Sequence, residues 1–258
     1  MFTSAALLKD ITINRSAATK ALTLFTTLLL ASALTGCDAE AQAATQAANK
    51  VAEAVGEAPP SGNSGESSVR PADVATALAQ LETIPVKGRA PKTGYTREEF
   101  GPAWADVDRN GCDTRNDILA RDLEGETFKP GTQNCVVATG TLADKYTGTT
   151  ISFVRGNTTS SAVQIDHLIA LSDAWQKGAQ QLSDEQRRQL ANDPLNLMAA
   201  DGPTNSAKGD KDAATWLPPN KAFRCEYAAR QTAVKAKYSL WVTQAERDAI
   251  AGILAGCS

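Results

Sequence analysis

The chain contains a single histidine, His167, in the stretch Gln164-Ile165-Asp166-His167-Leu168. One histidine cannot build a multi-imidazole zinc cage. It can serve as the base of a hydrolytic site, because an unperturbed imidazole titrates near neutral pH. Asp166 beside it offers a hard oxygen ligand for a divalent cation. Further along, Asn196 interrupts the apolar stretch Leu195 to Ala200, and Asn205, Lys208 and Asp210 follow. A buried polar group without a partner is costly, so polar residues set among apolar ones call for a reason, which a reactive site supplies. Plainer readings stand beside the chemical ones. Asp166-His167 is also what a satisfied structural pair in a strand looks like, Asn196 a turn cap, Asn205 a helix N-cap, and Lys208 a solvated helix charge. Arg115 carries a planar guanidinium suited to clamping a phosphate, or to a local pair with Asp113 or Asp117.

The elements that must position these residues are legible in outline. Ala72 to Leu81, Thr114 to Leu123, Asp173 to Gln181, Ser183 to Ala191, Phe223 to Tyr238 and Thr243 to Leu254 have helical apolar spacing. Thr96-x-x-Glu99 and Thr243-x-x-Glu246 fit capping boxes, the first opening a short helix that carries Phe100 and Trp104. Cys135 to Leu142 and Thr149 to Val154 read as strands around a turn at residues 144–148. Val163 to Leu171 reads as a strand or buried segment. A helix starts at Pro203, with Thr204 or Asn205 in its first turn, and runs to Trp216 before Pro218-Pro219. The fold class is α+β, helix-rich.

The ordered set Ile165-Asp166-His167, Leu195-Asn196-Leu197 and Asn205-x-x-Lys208-Gly209-Asp210 resembles the HNH nuclease superfamily with its ββα-metal core. The branch it resembles is the one at the C-terminal end of GmrSD-type modification-dependent restriction enzymes. Secreted members of that branch have a stretch similar to Gly111-Cys112-Asp113-Thr114-Arg115. The resemblance spans roughly Tyr95 to Trp241. It implies a metal-dependent endonuclease that leaves 5′-phosphate and 3′-hydroxyl ends on DNA or RNA. It implies Asp166 and Asn205 as metal ligands, His167 as general base, and Asn196 as the acceptor that orients the imidazole. Here Asp166 and Asn205 stand where the family name has histidines. Such an all-oxygen set favours one Mg²⁺ or Mn²⁺, with Ca²⁺ as a further candidate, over zinc. Lys208 and Arg115 are the candidate phosphate contacts. The alternative is a lipid-anchored binding or scaffold protein on an inactive nuclease fold. A serine hydrolase lacks support, since no G-x-S-x-G occurs.

The N-terminal stretch predicts export. Lys9, Arg15 and Lys20 precede an apolar run from Ala21 to Leu34 that ends in Leu34-Thr35-Gly36-Cys37. That tetrad resembles a lipoprotein signal, which implies cleavage after residue 36 and a lipid on Cys37 that ties the protein to the membrane. A plain secretory signal is the other reading. Residues 37–71 are rich in Ala, Gly, Ser, Glu and Pro and predict a flexible tether. Residues 72–258 are left as one nuclease-type domain. The net charge of −3 divides as +2 over residues 1–37, −3 over residues 38–70 and −2 over the rest. That excludes the strongly basic profile of a tight nucleic-acid binder, though not an enzyme that touches phosphates locally. No stable protein partner is expected.

Besides Cys37 there are Cys112, Cys135, Cys225 and Cys257. An even number in an exported chain predicts two disulfides; of three pairings we take the sequence-local ones, Cys112–Cys135 and Cys225–Cys257. A four-thiolate zinc site is the alternative, but no C-x-x-C spacing supports it. Asp106-x-Asp108-x-Asn110-Gly111 followed by Asp117 resembles an EF-hand loop and makes structural calcium a second metal expectation, against a polar turn fixed by the Cys112 disulfide. Trp175, Trp216, Tyr227 and Trp241 are read as core residues rather than base-stacking platforms.

Overall fold

Strand alternation and helical periodicity sort themselves into two antiparallel sheets and seven α-helices among residues 71–257, which the computed structural model describes. The expected signal, tether and Cys37 lie outside the described residues. Helix α1 spans Pro71–Thr83 and α2 Thr114–Asp122; the first sheet is the meander β1 Leu123–Phe128, β2 Val137–Ala143 and β3 Thr150–Val154. Then come β4 Val163–His167, α3 Leu171–Gln176, α4 Asp184–Ala191, β5 Leu197–Asp201, α5 Gly202–Lys208, α6 Arg224–Lys237 and α7 Gln244–Ala255. No helix among the described residues is long and apolar enough to cross a membrane. The class is mixed α/β, as expected, in one folded unit.

β4 and β5 form a two-stranded antiparallel ladder in which Val163 faces Asp201 and His167 faces Leu197. Residues 168–196, between the two strands, make a helical excursion. Helix α5 follows β5 directly, so β4, β5 and α5 make a ββα unit. Two glycines permit it. A Cβ on Gly202 would stand 2.0 Å from the Ser161 carbonyl oxygen, so only glycine lets α5 start against the entry to β4. Gly209, at φ +55°, then ends α5 in the left-handed region. This corrects the longer helix expected to reach Trp216: a backbone that turns left-handed at Gly209 cannot continue the right-handed ladder.

The ladder's one face packs with Ile118, Leu119, Leu142 and Phe153, the first sheet and α2. Its other face meets Tyr146, Phe223 and Tyr227. Helix α1 closes on α6 and α7 through Val74, Leu81, Ala228, Ile250 and Leu254. Phe100, Trp175, Leu190 and Leu240 fill the core under α3 and α4. Trp175, Tyr227 and Trp241 are buried, as expected of core residues. Both disulfides form with the expected pairing, Cys112–Cys135 and Cys225–Cys257. Thr96 does not cap: its side chain makes no cap hydrogen bond, the element is a single 3-10 turn at Arg97–Phe100, and Gly101 stops it before Trp104.

Candidate active site

His167 ends β4 with its ring packed under the C-terminus of α4. Its Nε2–H donates to the Ala191 carbonyl oxygen at 2.8 Å. A carbonyl only accepts, so that nitrogen carries the proton and Nδ1 keeps its lone pair. Burial pushes the imidazole pKa down to about 4, more than the Ala191 bond and Asp166 raise it, and the charges of Arg97 and Lys208 push the same way. The ring is therefore neutral at physiological pH. The indole of Trp104 lies nearly parallel to it, with centroids 6.0 Å apart and planes 15° apart. The two rings line a cleft of about 290 Å³ together with Arg97, Phe100, Ala191 and Asn192.

Asp166 points the other way. Successive side chains on a strand alternate faces, and Gln164 and Asp166 both meet α5. The Asp166 carboxylate accepts from Tyr146 Oη at 2.5 Å and from Lys208 Nζ at 3.0–3.1 Å. Burial and the neighbouring carboxylate raise the Tyr146 pKa well above the usual phenol value, so it remains a donor. Lys208 is fully buried and also donates to the His167 carbonyl at 2.8 Å. Asn205 Nδ2 donates to Gln164 Oε1 at 2.9 Å, two residues before Asp166 on the same strand face.

Three of the expected site residues sit in other surroundings. Asn196 does not touch the imidazole. Its amide oxygen accepts from Ile169 N at 2.8 Å and its amide nitrogen donates to Ile169 O and Leu190 O, both at 3.3 Å. With its backbone carbonyl accepting from Leu168 N, it staples the two ends of the 168–196 excursion. The ring is oriented instead by Ala191, the residue after Leu190. Lys208 is buried inside the protein on Asp166, since a buried ammonium needs a counter-charge. Arg115 is half-buried beside Arg155, is not among the residues lining the His167 cleft, and has its pKa lowered by burial and by that like charge.

Sequence reasoning missed Tyr146, Ala191, Trp104, Arg97 and Asn192, and gave Gln164 no role. Gln164 had a signal, being polar at strand spacing from Asp166; an orienting backbone carbonyl has none. In the Asp106–Asp117 loop the carboxylates serve the loop itself: Asp106 accepts from Asn110 N and Gly111 N, Asp108 from Asn110 N and Nδ2, and Asp117 from Asn110 Nδ2. No group of three or more His, Cys, Asp or Glu side chains among the described residues is placed to hold a metal ion.

A family model described as "GmrSD restriction endonucleases, C-terminal domain" matches residues 113–253. The chain belongs to the GmrSD C-terminal domain family. The GmrSD-type match takes in α2, both sheets and α3 to α6, with Asp166, His167, Asn196, Asn205 and Lys208. A protein of Arthroderma benhamiae described as an "Uncharacterized secreted protein" is 35% identical over 184 residues, covering 70% of this chain and 85% of that one. No solved structure matches. The two disulfides fit an oxidising, extracytoplasmic setting for this GmrSD-type domain.

Proposed function

We propose that this chain is a metal-dependent endonuclease that hydrolyses phosphodiester bonds of DNA or RNA without sequence specificity. The observation that carries the proposal is His167: a neutral imidazole at the wall of a cleft, its Nε2–H fixed on Ala191 and its Nδ1 left as acceptor. In the proposal Nδ1 takes a proton from the attacking water, and the Ala191 carbonyl stabilises the imidazolium that results. Asn196 acts one step back, holding Leu190 against Ile169 so that the Ala191 carbonyl keeps its aim.

The β4 and α5 donors suit a hard cation. Asp166, Gln164 and Asn205 could ligate a cation only through oxygen, the chemistry of Mg²⁺ or Mn²⁺ sites and, with more ligands, of Ca²⁺. Asp166 and Asn205 would hold the ion, with waters and substrate oxygens as the remaining ligands. Such an ion supplies stabilisation of charge on the phosphorane and the leaving oxygen. Lys208 pairs with the Asp166 carboxylate and aims it, and the diester would lie across the end of the β4–β5 ladder, between the two faces. The ββα unit is on this reading the HNH-type core.

A second reading, a binding or scaffold protein on an inactive nuclease fold, draws on the closure of Asp166 by Tyr146 and Lys208. Incubating the purified protein with labelled DNA and RNA in Mg²⁺, Mn²⁺ or EDTA separates the two. Cleavage that needs the ion and disappears in His167→Ala supports the nuclease; intact substrate with every ion leaves the scaffold. We also propose that Cys37 is lipidated and anchors the exported chain to the membrane. Cys37→Ala should then release the protein into the medium, and release equal to wild type would refute the anchor.

A further inference from the structure

The wall of the cleft that faces His167 comes from residues 97–104, a segment that precedes the family match at 113–253. Four observations bear on what it does. Trp104 is half-buried and lies parallel to and offset from the His167 ring. Its backbone sits at φ +59°, a left-handed conformation that bulky side chains rarely adopt. Arg97 is exposed at the rim, has no ion-pair partner among the described residues, and is near enough for its charge to act on His167. Across the cleft, Asn192 is 1% exposed, and its amide oxygen lies buried with no hydrogen-bond partner while its amide nitrogen is used on Arg188 O. An orphaned buried acceptor is costly and calls for a donor from outside.

We propose that this cleft is a nucleotide subsite, in which the base next to the cleaved bond of a single strand lies against Trp104, Arg97 pairs with a backbone phosphate, and the Asn192 amide oxygen accepts from an amino, imino or hydroxyl group of that nucleotide. The proposal rests on the nuclease reading and adds the substrate's form. A cleft of about 290 Å³ lined by Phe100, Pro102, Ala103 and Leu171 takes one flat apolar face, not a duplex. A base can reach an aromatic ring only when it is out of its own stack, so single strands and looped or frayed ends are preferred. Glu98 on the same rim offsets the charge of Arg97. Affinity therefore comes from directed contacts rather than net charge, in keeping with a folded part that is weakly acidic.

The test is equilibrium binding of the whole protein to a fluorescently labelled single-stranded hexanucleotide in EDTA, read by anisotropy and by quenching of tryptophan emission. Wild type should bind the single strand at least tenfold tighter than a duplex of the same sequence. Trp104→Leu should weaken binding about 5- to 100-fold, while Trp104→Phe, which keeps an aromatic face, stays closer to wild type. Arg97→Met, at an exposed position, should lower the slope of log affinity against log salt by about 0.7. No binding by wild type, equal binding of duplex, or Trp104→Leu and Arg97→Met variants that bind like wild type would each overturn the subsite. Binding through Trp104 with no cleavage in any metal would sink the nuclease reading and leave the subsite standing. Cleavage by a protein whose Trp104 and Arg97 variants are unchanged would do the reverse.

Discussion

His167 and Asp166 are neighbours in the chain, yet their side chains lie on opposite faces of β4 and answer to different partners. His167 is held by a backbone carbonyl and an indole, Asp166 by a phenol and an ammonium. His167→Ala should lower cleavage by about 10²- to 10⁴-fold, the usual worth of a general base, with an unchanged circular dichroism spectrum. A folded variant that cuts as wild type would remove the base from this histidine. Asn196→Ala should act on stability first. It strands the Ile169 N–H and two carbonyls in a buried place, at about 1–3 kcal/mol for a buried unsatisfied group, which denaturant titration reads directly. Of these residues the sequence marks Asp166, His167, Asn196 and Gln164, because polar types break apolar runs there. It does not mark Tyr146, which sits in a polar turn, nor Ala191, whose contribution is a main-chain oxygen common to every residue.

At the scale of elements, the surprise is a buried charge cluster that joins α3, α6, α7 and the segment after α5. Lys177 and Lys235, both fully buried, meet Asp173, Asp212 and Glu246, with Arg89 at the edge. Asp173 Oδ1 makes its contacts to Arg89 at 2.9 Å and Lys177 at 2.8 Å as ion pairs, off the hydrogen-bonding direction. Lys177→Met leaves the carboxylates facing one another in low dielectric and should cost about 3–5 kcal/mol in a denaturation experiment. Burial works to raise the Asp212 pKa, but Lys177, Thr215 and Arg89 outweigh it and draw it down to about 2. A carboxyl whose folded pKa lies below its unfolded value of 3.8 stabilises fully above that value and loses this as pH falls through about 2. The thermal midpoint should therefore fall between pH 4 and pH 2, and fall less in Asp212→Asn. An equal slope in the two proteins would detach the acid sensitivity from this cluster. Glu246 shows why motif reading stops short. Thr243 does cap α7, yet the Glu246 carboxylate, which the box assigns to the local backbone, is taken by two buried lysines. Strand β1 went unread for a related reason: Leu-Glu-Gly-Glu-Thr-Phe has little strand character alone and becomes a strand by pairing with β2.

For the whole molecule, the two disulfides close loops with sequence separations of 23 and 32 residues. Cys225–Cys257 joins the start of α6 to the end of α7. Replacing both with alanine frees that loop and should cost about 3–4 kcal/mol by chain entropy, seen as a lower midpoint in urea. A midpoint that moves by less than a tenth of a molar would mean that α7 is held by packing alone.

The sequence by itself determined the elements with strong period, an even cysteine count that calls for two disulfides, the resemblance to the family, and the polar residues at the heart of the candidate site. These rest on spacing along the chain, which local geometry converts into faces and loops. Only the tertiary structure decided what each polar residue touches: that Lys208 lies buried against Asp166, that the Ala191 carbonyl holds His167 while Asn196 bonds the backbone around it, and that residues 97–104 wall the cleft. Those pairings join segments tens of residues apart. A buried charge or donor takes whatever partner the packed core brings within reach, and local spacing carries no record of that choice.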